Sequence, residues 1–283
     1  MSAALASRVW LITGTSSGIG RQLVAAAVAR GDAVLATVRR TEDAPAVRAL
    51  GPDRVRVAVA DVTEPEPVRQ AVADAVEAFG RIDVLVNNAG YGLVGGVEEV
   101  SDDQWHRQFA TNVFGLIDVT RAVLPVMRRQ AAGHVIMISS VSGQSAAPGL
   151  AYYAASKHAV EGFGEALSRE VAHLGIRVTI IEPGMFRTDW AGRSLEQAAV
   201  ALDAYQPSAG VVRARLVAAD GLQAGDPRRL ADAVVRILDE PAPPLRLPMG
   251  RDAVDGIRRK LARQLEELDR WEALSVDTAH APA

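Results

Sequence analysis

Short apolar runs alternate with longer amphipathic stretches along most of the chain. Runs of four to eight apolar residues bounded by turn residues are typical of buried strands, whereas apolar positions recurring every three or four residues are typical of helices. This pattern predicts strands at residues 8–12, 33–38, 55–60, 83–87, 133–139, 177–182 and 245–249. It predicts helices at residues 18–30, 65–79, 102–130 and 150–174.

Several predicted strands contain near-continuous apolar runs, such as Val84-Leu85-Val86. Strands of this kind are buried on both faces, which is typical of parallel sheets covered by helices. At 283 residues, of which 49% are hydrophobic, the chain can bury one large core. The pattern therefore predicts a single α/β domain over residues 1–283.

A glycine-rich turn at residues 13–20 joins the first predicted strand to the first predicted helix. In this arrangement backbone N–H groups and the helix dipole can meet a pyrophosphate. Gly14 allows the tight turn, Gly18 lets the backbone approach the phosphates, and Gly20 lets the helix pack on the sheet. The spacing Gly-x-x-x-Gly-x-Gly differs from the usual dinucleotide fingerprint, and a turn that binds no nucleotide is the alternative.

Tyr153 and Lys157 lie four residues apart in a predicted helix. They sit about 40° apart around that helix, whereas Tyr152 would sit about 140° from Lys157. A tyrosine has an ordinary pKa of about 10, and a nearby ammonium favours phenolate, which brings the pKa toward the range of an acid–base catalyst. Alone, the pair also fits a surface tyrosine stacked on a lysine stem.

Ser140 follows the fifth predicted strand, thirteen residues before Tyr153. The carboxyl end of a strand is a ligand-binding position in doubly wound sheets, and a hydroxyl there can hydrogen-bond a substrate oxygen. Ser139 is one residue earlier and is expected to point to the opposite face.

Taken together, these motifs resemble the short-chain dehydrogenase/reductase family from Val9 to about Gly250. The resemblance implies a Rossmann-like doubly wound parallel sheet with helices on both faces. It assigns catalysis to Asn112, Ser140, Tyr153 and Lys157. It assigns cofactor binding to Tyr153 and Lys157 and to Gly14, Ser16, Ser17, Gly18, Ile19, Gly20, Arg39, Asp61, Val62, Asn88, Ala89, Gly90, Pro183, Gly184 and Thr188.

The resemblance also implies roles for the catalytic residues. Tyr153 would donate a proton to a carbonyl oxygen in reduction, or remove one from the alcohol in oxidation. Lys157 would lower the pKa of Tyr153 and hydrogen-bond the nicotinamide ribose. Asn112 would hold a water molecule that links Lys157 to solvent; satisfying a local carbonyl is its alternative. The expected protein is an oxidoreductase that interconverts a ketone or aldehyde and the corresponding alcohol.

The second predicted strand ends without an acid. Enzymes that prefer NAD usually have an acidic residue there, which hydrogen-bonds the ribose and repels a 2′-phosphate. In the family this acid stands twenty-four residues after Gly14, where this chain has Val38, followed by Arg39 and Arg40. Because a guanidinium offers paired donors to a phosphate, Arg39 favours NADP(H) over NAD(H). Solvation of both arginines is the alternative, and Ser17 adds no second basic residue in the glycine turn.

The substrate pocket is predicted from residues that flank the cofactor and catalytic motifs. They are Tyr91, Val94, Val141, Met185, Phe186 and Trp190. In the family, residues 188–227 would form a lid of helices over the substrate, although their apolar spacing fits core packing equally well. The set favours an apolar or mixed carbonyl compound as the small-molecule substrate.

Charge and composition argue against several other functions. The net charge is −3 and no run of five basic residues occurs, so no nucleic-acid partner is expected. Cysteine is absent and the five histidines form no His-Glu-x-x-His, so no metal site is expected. The N-terminal apolar run is too short for a signal peptide or a membrane span, which predicts a cytoplasmic protein without a membrane partner.

Residues 252–274 extend past the last predicted strand as an additional C-terminal helix. Its apolar positions recur every three or four residues on an otherwise charged helix and are Val254, Ile257, Leu261, Leu265, Leu268 and Trp271. Packing on its own domain is the favoured interpretation of this stripe; covering a partner subunit or the substrate lid is the alternative. Members of the family commonly pair through helices equivalent to 102–130 and 150–174. A homodimer or homotetramer is therefore expected, and the added helix favours the dimer because it could block a second interface.

Two other function classes fit parts of the sequence. Gly14, Ser16 and Gly18 satisfy the Gly-x-Ser-x-Gly elbow of serine hydrolases. That elbow normally follows several strands, whereas only one predicted strand precedes Ser16. The other alternative is a dinucleotide-binding regulatory protein without turnover, although all four catalytic positions are filled.

Overall fold

A parallel sheet lies at the centre of the computed structural model, which describes residues 7–278 and residue 280. The strands are β1 (Val9–Ile12), β2 (Ala33–Val38), β3 (Val55–Val59), β4 (Val84–Asn87), β5 (Gly92–Val94), β6 (Gly133–Ile138), β7 (Ile176–Pro183), β8 (Leu195–Gln197) and β9 (Arg246–Met249). Seven of them pair in the order β3-β2-β1-β4-β6-β7-β9. Each predicted strand is present, with its ends within one residue of the prediction.

Helices cover both faces of this sheet. They are α1 (Gly18–Ala29), α2 (Ala44–Arg48), α3 (Pro65–Phe79), α4 (Asp102–Phe109), α5 (Leu116–Gln130), α6 (Ala151–Val171), α7 (Val211–Ala218), α8 (Pro227–Ile237) and α9 (Arg251–Val276). Successive residues of a strand point to opposite faces. In β1, Leu11 packs with Val123 of α5, whereas Trp10 packs with Leu23 of α1 and Val234 of α8. The Rossmann-like doubly wound fold is thereby confirmed.

The strand order reverses at β1, which pairs with β2 on one side and with β4 on the other. Loops that leave the carboxyl ends of two such strands diverge to opposite faces and open a crevice between them. The glycine turn follows β1, so the fold places this turn at the crevice.

The predicted helix 102–130 is interrupted. A π-helical segment, Ala110–Gly115, separates α4 from α5. A Cβ on Gly115 would lie 2.8 Å from the carbonyl oxygen of Val62, so the helix approaches that loop closely. Such π segments often mark functional positions, and this one carries Asn112. Among the described residues, the run Asp102–Gln130 alone is long and apolar enough, by length and composition, to cross a membrane; α5 nevertheless packs on the sheet as a core helix.

The C-terminal helix does not pack on its own domain along its whole length, as the favoured interpretation of its apolar stripe predicted. Ala253 and Ile257 are buried, but Leu261, Leu265 and Leu268 are exposed. At about 1.5 Å per residue, a helix of 26 residues outruns the surface on which its first two turns pack. Packing on its own domain therefore accounts for only the beginning of the stripe.

Candidate active site

A cleft of about 1210 Å³ opens where β1, β4, β6 and β7 end. Most predicted site residues line it: Gly14, Ser16, Ser17, Gly18, Ile19, Arg39, Asp61, Asn88, Ala89, Gly90, Tyr91, Ser140, Val141, Tyr153, Lys157, Pro183, Gly184, Met185, Phe186, Thr188 and Trp190. The fold thus brings together residues that lie up to 176 positions apart in the sequence, from Gly14 to Trp190.

Four predicted site residues lie behind the cleft wall. Val94 is fully buried in an apolar cluster with Tyr153, so the prediction that it lines the substrate pocket is corrected. Val62 is buried in the core between the sheet and its helices. Gly20 packs against the glycine turn, and Asn112 is buried beneath Gly90.

Hydrogen bonds fix the glycine turn to the loop after β4. Thr13 Oγ1 accepts from the backbone N–H groups of Asn88 and Ala89, both at 3.0 Å. The Asn88 side chain donates to the carbonyl oxygens of Thr13 and Gly14, both at 2.9 Å. A Cβ on Gly20 would lie 2.4 Å from both Asn88 Nδ2 and the Gly14 carbonyl oxygen. The two loops therefore form one rigid floor, whose close packing requires a glycine at position 20.

The first turn of α1 faces the cleft through Gly18 and Ile19. The first N–H groups of a helix have no partner within the helix, and within the described residues the Ser17 side chain makes no capping bond. Gly14 and Gly18 have φ angles of +68° and +55°, a region that favours glycine. Exposed N–H groups at a helix N-terminus suit a phosphate.

Tyr153 and Ser140 lie on the opposite wall. Tyr153 is buried, and its ring contacts Trp190 with centroids 5.5 Å apart. Ser140 Oγ accepts from the backbone N–H of Ser142 at 3.1 Å, so its own proton remains available to the cleft. Lys157 Nζ lies 5.9 Å from the centre of the Tyr153 ring and donates to the carbonyl oxygen of Ile138 at 2.9 Å.

The pKa of Tyr153 differs from its predicted direction. Burial raises it to about 12, while the Ser140 hydroxyl acts in the opposite direction. Burial also lowers the pKa of Lys157 to about 8, opposed by the charge of Glu161. Lys157 is not among the causes of this shift, and its Nζ bonds the Ile138 carbonyl, so the lowering of the Tyr153 pKa by Lys157 stays a prediction. Tyr153 is thus a protonated phenol at neutral pH.

Asn112 is held by the backbone of the neighbouring loop. Its Oδ1 accepts from the Tyr91 N–H at 3.0 Å, and its Nδ2 donates to the Tyr91 carbonyl at 3.0 Å and to Ser156 Oγ at 3.1 Å. A Cβ on Gly90 would lie 3.0 Å from Asn112 Oδ1 and 3.6 Å from Lys157 Nζ. Asn112 therefore hydrogen-bonds a nearby backbone carbonyl, as its alternative interpretation predicts. It also lies close to Lys157.

Arg39 and Arg40 have different surroundings. Arg40 donates to both carboxylate oxygens of Asp43 at 3.2 Å, and its charge and hydrogen bond lower the pKa of that acid. Both arginines line the cleft, but within residues 7–278 and 280 the side chain of Arg39 has no hydrogen bond or ion pair. The first arginine is therefore available to a ligand and the second is engaged.

The attachment of residues 188–227 to the rest of the domain could not be predicted from the sequence. Gly92–Val94 pairs in parallel with Leu195–Gln197, forming a second small sheet. The buried carboxylate of Glu99 accepts from the backbone N–H groups of Gly96 and Leu202, at 2.6 and 2.8 Å. The only sign of this attachment in the sequence is the three glycines at residues 92, 95 and 96. In the structure the side chains of Trp190, Ala198 and Tyr205 pack against them.

The fold and the site together define a Rossmann-type oxidoreductase. A sequence profile of the family described as short chain dehydrogenase matches residues 8–199. The chain therefore belongs to the short-chain dehydrogenase/reductase family and is an enzyme of that family. This assignment displaces the serine-hydrolase hypothesis, and among the described residues no histidine lines the cleft beside Ser16.

Individual relatives agree with this assignment. Oxidoreductase BOA17 of Botryotinia fuckeliana is 41% identical over 275 residues, which cover 96% of this chain and 100% of the relative. Retinol dehydrogenase 8 of Homo sapiens is 35% identical over 298 residues, covering 98% and 90% of the two chains. The crystal structure of a short-chain dehydrogenase from Streptomyces avermitilis has a TM-score of 0.90 at 41% identity and covers 97% of this chain and 99% of its own. More distant solved structures of this fold include NAD-bound and NADP-bound proteins.

Proposed function

We propose that this enzyme is an NADP(H)-dependent oxidoreductase that interconverts a ketone or aldehyde and the corresponding alcohol. The observation that carries the proposal is the position of Tyr153, Ser140 and Lys157 on one wall of a cleft whose floor is the glycine turn. The relative named retinol dehydrogenase supports an alcohol as one member of the substrate pair. The apolar wall around Trp190 and Leu195 supports a substrate with an apolar body.

The cleft fits a nicotinamide dinucleotide. The N–H groups at Gly18 and Ile19, at the start of α1, suit its pyrophosphate. Gly14 lets the glycine turn pack closely on the loop after β4, since a Cβ there would lie 2.9 Å from Ala89 Cα. The free guanidinium of Arg39 suits a 2′-phosphate. When bound, the nicotinamide would supply or accept the hydride.

The residues of the opposite wall would handle the proton. Tyr153, which is protonated at neutral pH, would donate to the substrate oxygen during reduction. The free proton of Ser140 would donate to the same oxygen. Lys157 would hydrogen-bond the nicotinamide ribose, and its neighbour Asn112 would hold the water molecule that leads to solvent.

The cofactor proposal is tested by two matched variants in a screen of ketones and alcohols followed by nicotinamide absorbance. Arg39→Ala should weaken the affinity for NADPH roughly tenfold or more, because charge-assisted bonds to a phosphate contribute about 1.5–3 kcal/mol. The affinity for NADH, which lacks this phosphate, should be nearly unchanged. Arg40→Ala should change neither, because Asp43 already engages this side chain. Equal use of both cofactors by the unmodified protein would contradict the proposal. Cofactor binding without turnover of any carbonyl compound would favour a regulatory protein.

We also propose a cytoplasmic homodimer that pairs through the faces of α5 and α6, without a nucleic-acid or membrane partner. The support is the family assignment, together with the net charge of −3. Light scattering on the full chain tests the assembly, and a monomer would contradict it.

A further inference from the structure

From residue 258 onward, α9 carries large apolar side chains that face solvent. Leu261, Leu265, Leu268 and Trp271 are each 50–61% exposed. At about 100° per residue they occupy one face about 120° wide, in line with the buried Ile257. A contiguous apolar face of this kind, uncovered within the described part of the chain, is typical of an interaction surface.

The charges on the same stretch of α9 are segregated by sign. The first half is basic, with Arg258, Arg259, Lys260 and Arg263 and no acid among them. The second half is acidic, with Glu266, Glu267, Asp269 and Glu272 and the single base Arg270. The change of sign falls near Leu265, at the centre of the exposed apolar face. Two helices with this distribution of charge are complementary when they lie antiparallel, because the basic half of each then faces the acidic half of the other.

We propose that α9 pairs with α9 of a second copy of this chain in an antiparallel arrangement, about a two-fold axis at Leu265. In such a pair the two Leu265 side chains meet at the axis, and Leu261 packs beside Leu268 and Trp271 of the second copy. The basic half of each helix lies beside the acidic half of the other, which places Arg258 next to Glu272 of the second copy. Within its own chain Arg258 is 3.7 Å from Asp255 and largely exposed, so it can reach across.

The other possible occupants of this face fit it less well. A parallel pair would set basic half against basic half and acid against acid, which is destabilising. A membrane with anionic headgroups would attract the basic half and repel the acidic half. The chain's own domain already covers the helix as far as Ile257 and no further.

Pairing of α9 has a consequence for the cleft. Arg259 lines the cleft, two residues before Leu261. In an antiparallel pair the acidic half of the second helix therefore lies at the cleft mouth of the first copy. A symmetric contact of this kind joins two chains, so together with pairing through α5 and α6 it would extend the dimer to a homotetramer.

The absence of cysteine allows a direct test by single-cysteine variants oxidised at low protein concentration. Leu265→Cys should form an intermolecular disulfide with itself, because position 265 meets its own copy at the axis. Trp271→Cys should not react with itself but should react with Leu261→Cys when the two proteins are mixed. Self-reaction at both 265 and 271 would indicate a parallel pair and overturn the proposal. No reaction in any combination, or reaction only with anionic vesicles present, would also overturn it.

A charge-reversal pair separates ion pairing from apolar contact. Glu272→Arg should weaken association roughly tenfold, because two attractive pairs become repulsive and exposed ion pairs contribute about 0.2–1 kcal/mol each. Adding Arg258→Glu to that variant should restore the association of the parent. Failure of the double variant to recover would contradict the antiparallel register. These positions are exposed on the helix, so folding, followed by circular dichroism, should be unchanged.

Discussion

The two sides of the cleft are built differently. On the cofactor side, every residue of β1 is buried, and the turn that follows is fixed by four hydrogen bonds to Asn88 and Ala89. On the other side, the small sheet of β5 and β8 and the carboxylate of Glu99 help to hold residues 188–227 to the domain. The Gln104 side chain adds to this by donating to the Gln197 carbonyl at 2.8 Å and accepting from the Ala199 N–H at 3.0 Å. Several large apolar side chains of the lid face solvent: Val200, Leu202, Val211, Val217 and Leu222.

The difference corresponds to two kinds of ligand. A pyrophosphate is recognised by backbone N–H groups, which must be fixed before the ligand arrives. A substrate with an apolar body is recognised by the apolar surface that it contacts, which a segment at the surface of the domain can provide after the substrate has entered. We therefore expect variants of the cofactor side to lose cofactor affinity and variants of the lid to change the KM for substrate.

Tyr153 lies between the two sides and should separate chemistry from both kinds of binding. Tyr153→Phe keeps the ring and removes the proton, so turnover should fall by about 10²–10⁴-fold or more, with little change in cofactor affinity. Tyr152→Phe is the matched control, because that hydroxyl donates to the Val97 carbonyl on the surface. Near-normal turnover of Tyr153→Phe would remove this residue from the mechanism.

The rigidity of the cofactor side is tested by adding one methyl group. Gly20→Ala would place a carbon 2.4 Å from the backbone oxygen of Gly14, which cannot rotate away. Overpacking costs about 1–3 kcal/mol, so dinucleotide affinity should fall by tenfold or more. Gly162→Ala is the control and should leave affinity unchanged, because among the described residues the added carbon would meet no other part of the domain within 4 Å. Equal affinity of the two variants would mean that the floor is not rigid.

The cofactor side could be predicted from sequence because its signals are local. The strand β1 is a continuous apolar run, and Gly14, Gly18 and Gly20 lie within one turn. The attachment of residues 188–227 could not be predicted, because Gly92–Val94 pairs with a segment about 100 residues away, Leu195–Gln197, which is not apolar throughout. Glu99 illustrates the problem, since an acid next to a valine gives no sign that it will accept two backbone N–H groups.

Packing and burial explain the remaining differences. The pKa of Tyr153 depends on desolvation, which spacing along a helix does not reveal. The apolar stripe of α9 predicted a covered face, but periodicity does not indicate where a domain surface ends. The π segment Ala110–Gly115 lies in close contact with Val62, which only the folded structure brings near.

On the lid side, Glu99→Gln should loosen the attachment without changing volume. A glutamine has one acceptor oxygen where the carboxylate accepts from both Gly96 and Leu202, so one buried N–H loses its partner at about 1–3 kcal/mol. The KM for substrate should rise by roughly tenfold, while dinucleotide affinity stays constant. Glu77→Gln, at an exposed position of α3, is the control. A change in dinucleotide affinity without a change in KM would show that the two sides are not independent.

The smallest effect on turnover is expected behind the cleft, where two buried acids meet. Glu182 faces Glu161, the Gln144 side chain donates to both at 2.9 and 3.2 Å, and Arg246 donates to Glu161 at 2.9 Å. Burial, and then the charge of Glu161, raise the pKa of Glu182 from its ordinary 4.5 to about 7. Between these two values the folded protein holds a proton that the unfolded chain has lost. Stability should therefore fall as the pH rises from about 4.5 to 7, and the full cost remains above pH 7.

Glu182→Gln removes this titration while keeping the shape of the side chain. The free energy of unfolding of the variant, minus that of the parent, should increase from pH 4.5 to 7 by roughly 1–3 kcal/mol and then level off. The difference is needed because buried His134, whose pKa is lowered to about 3, destabilises both proteins as the pH falls below 6.5. Urea unfolding at a series of pH values measures both curves, and cofactor affinity should remain that of the parent. A difference that does not vary with pH would mean that Glu182 is ionised in the folded protein across this range, with Arg246 compensating its charge.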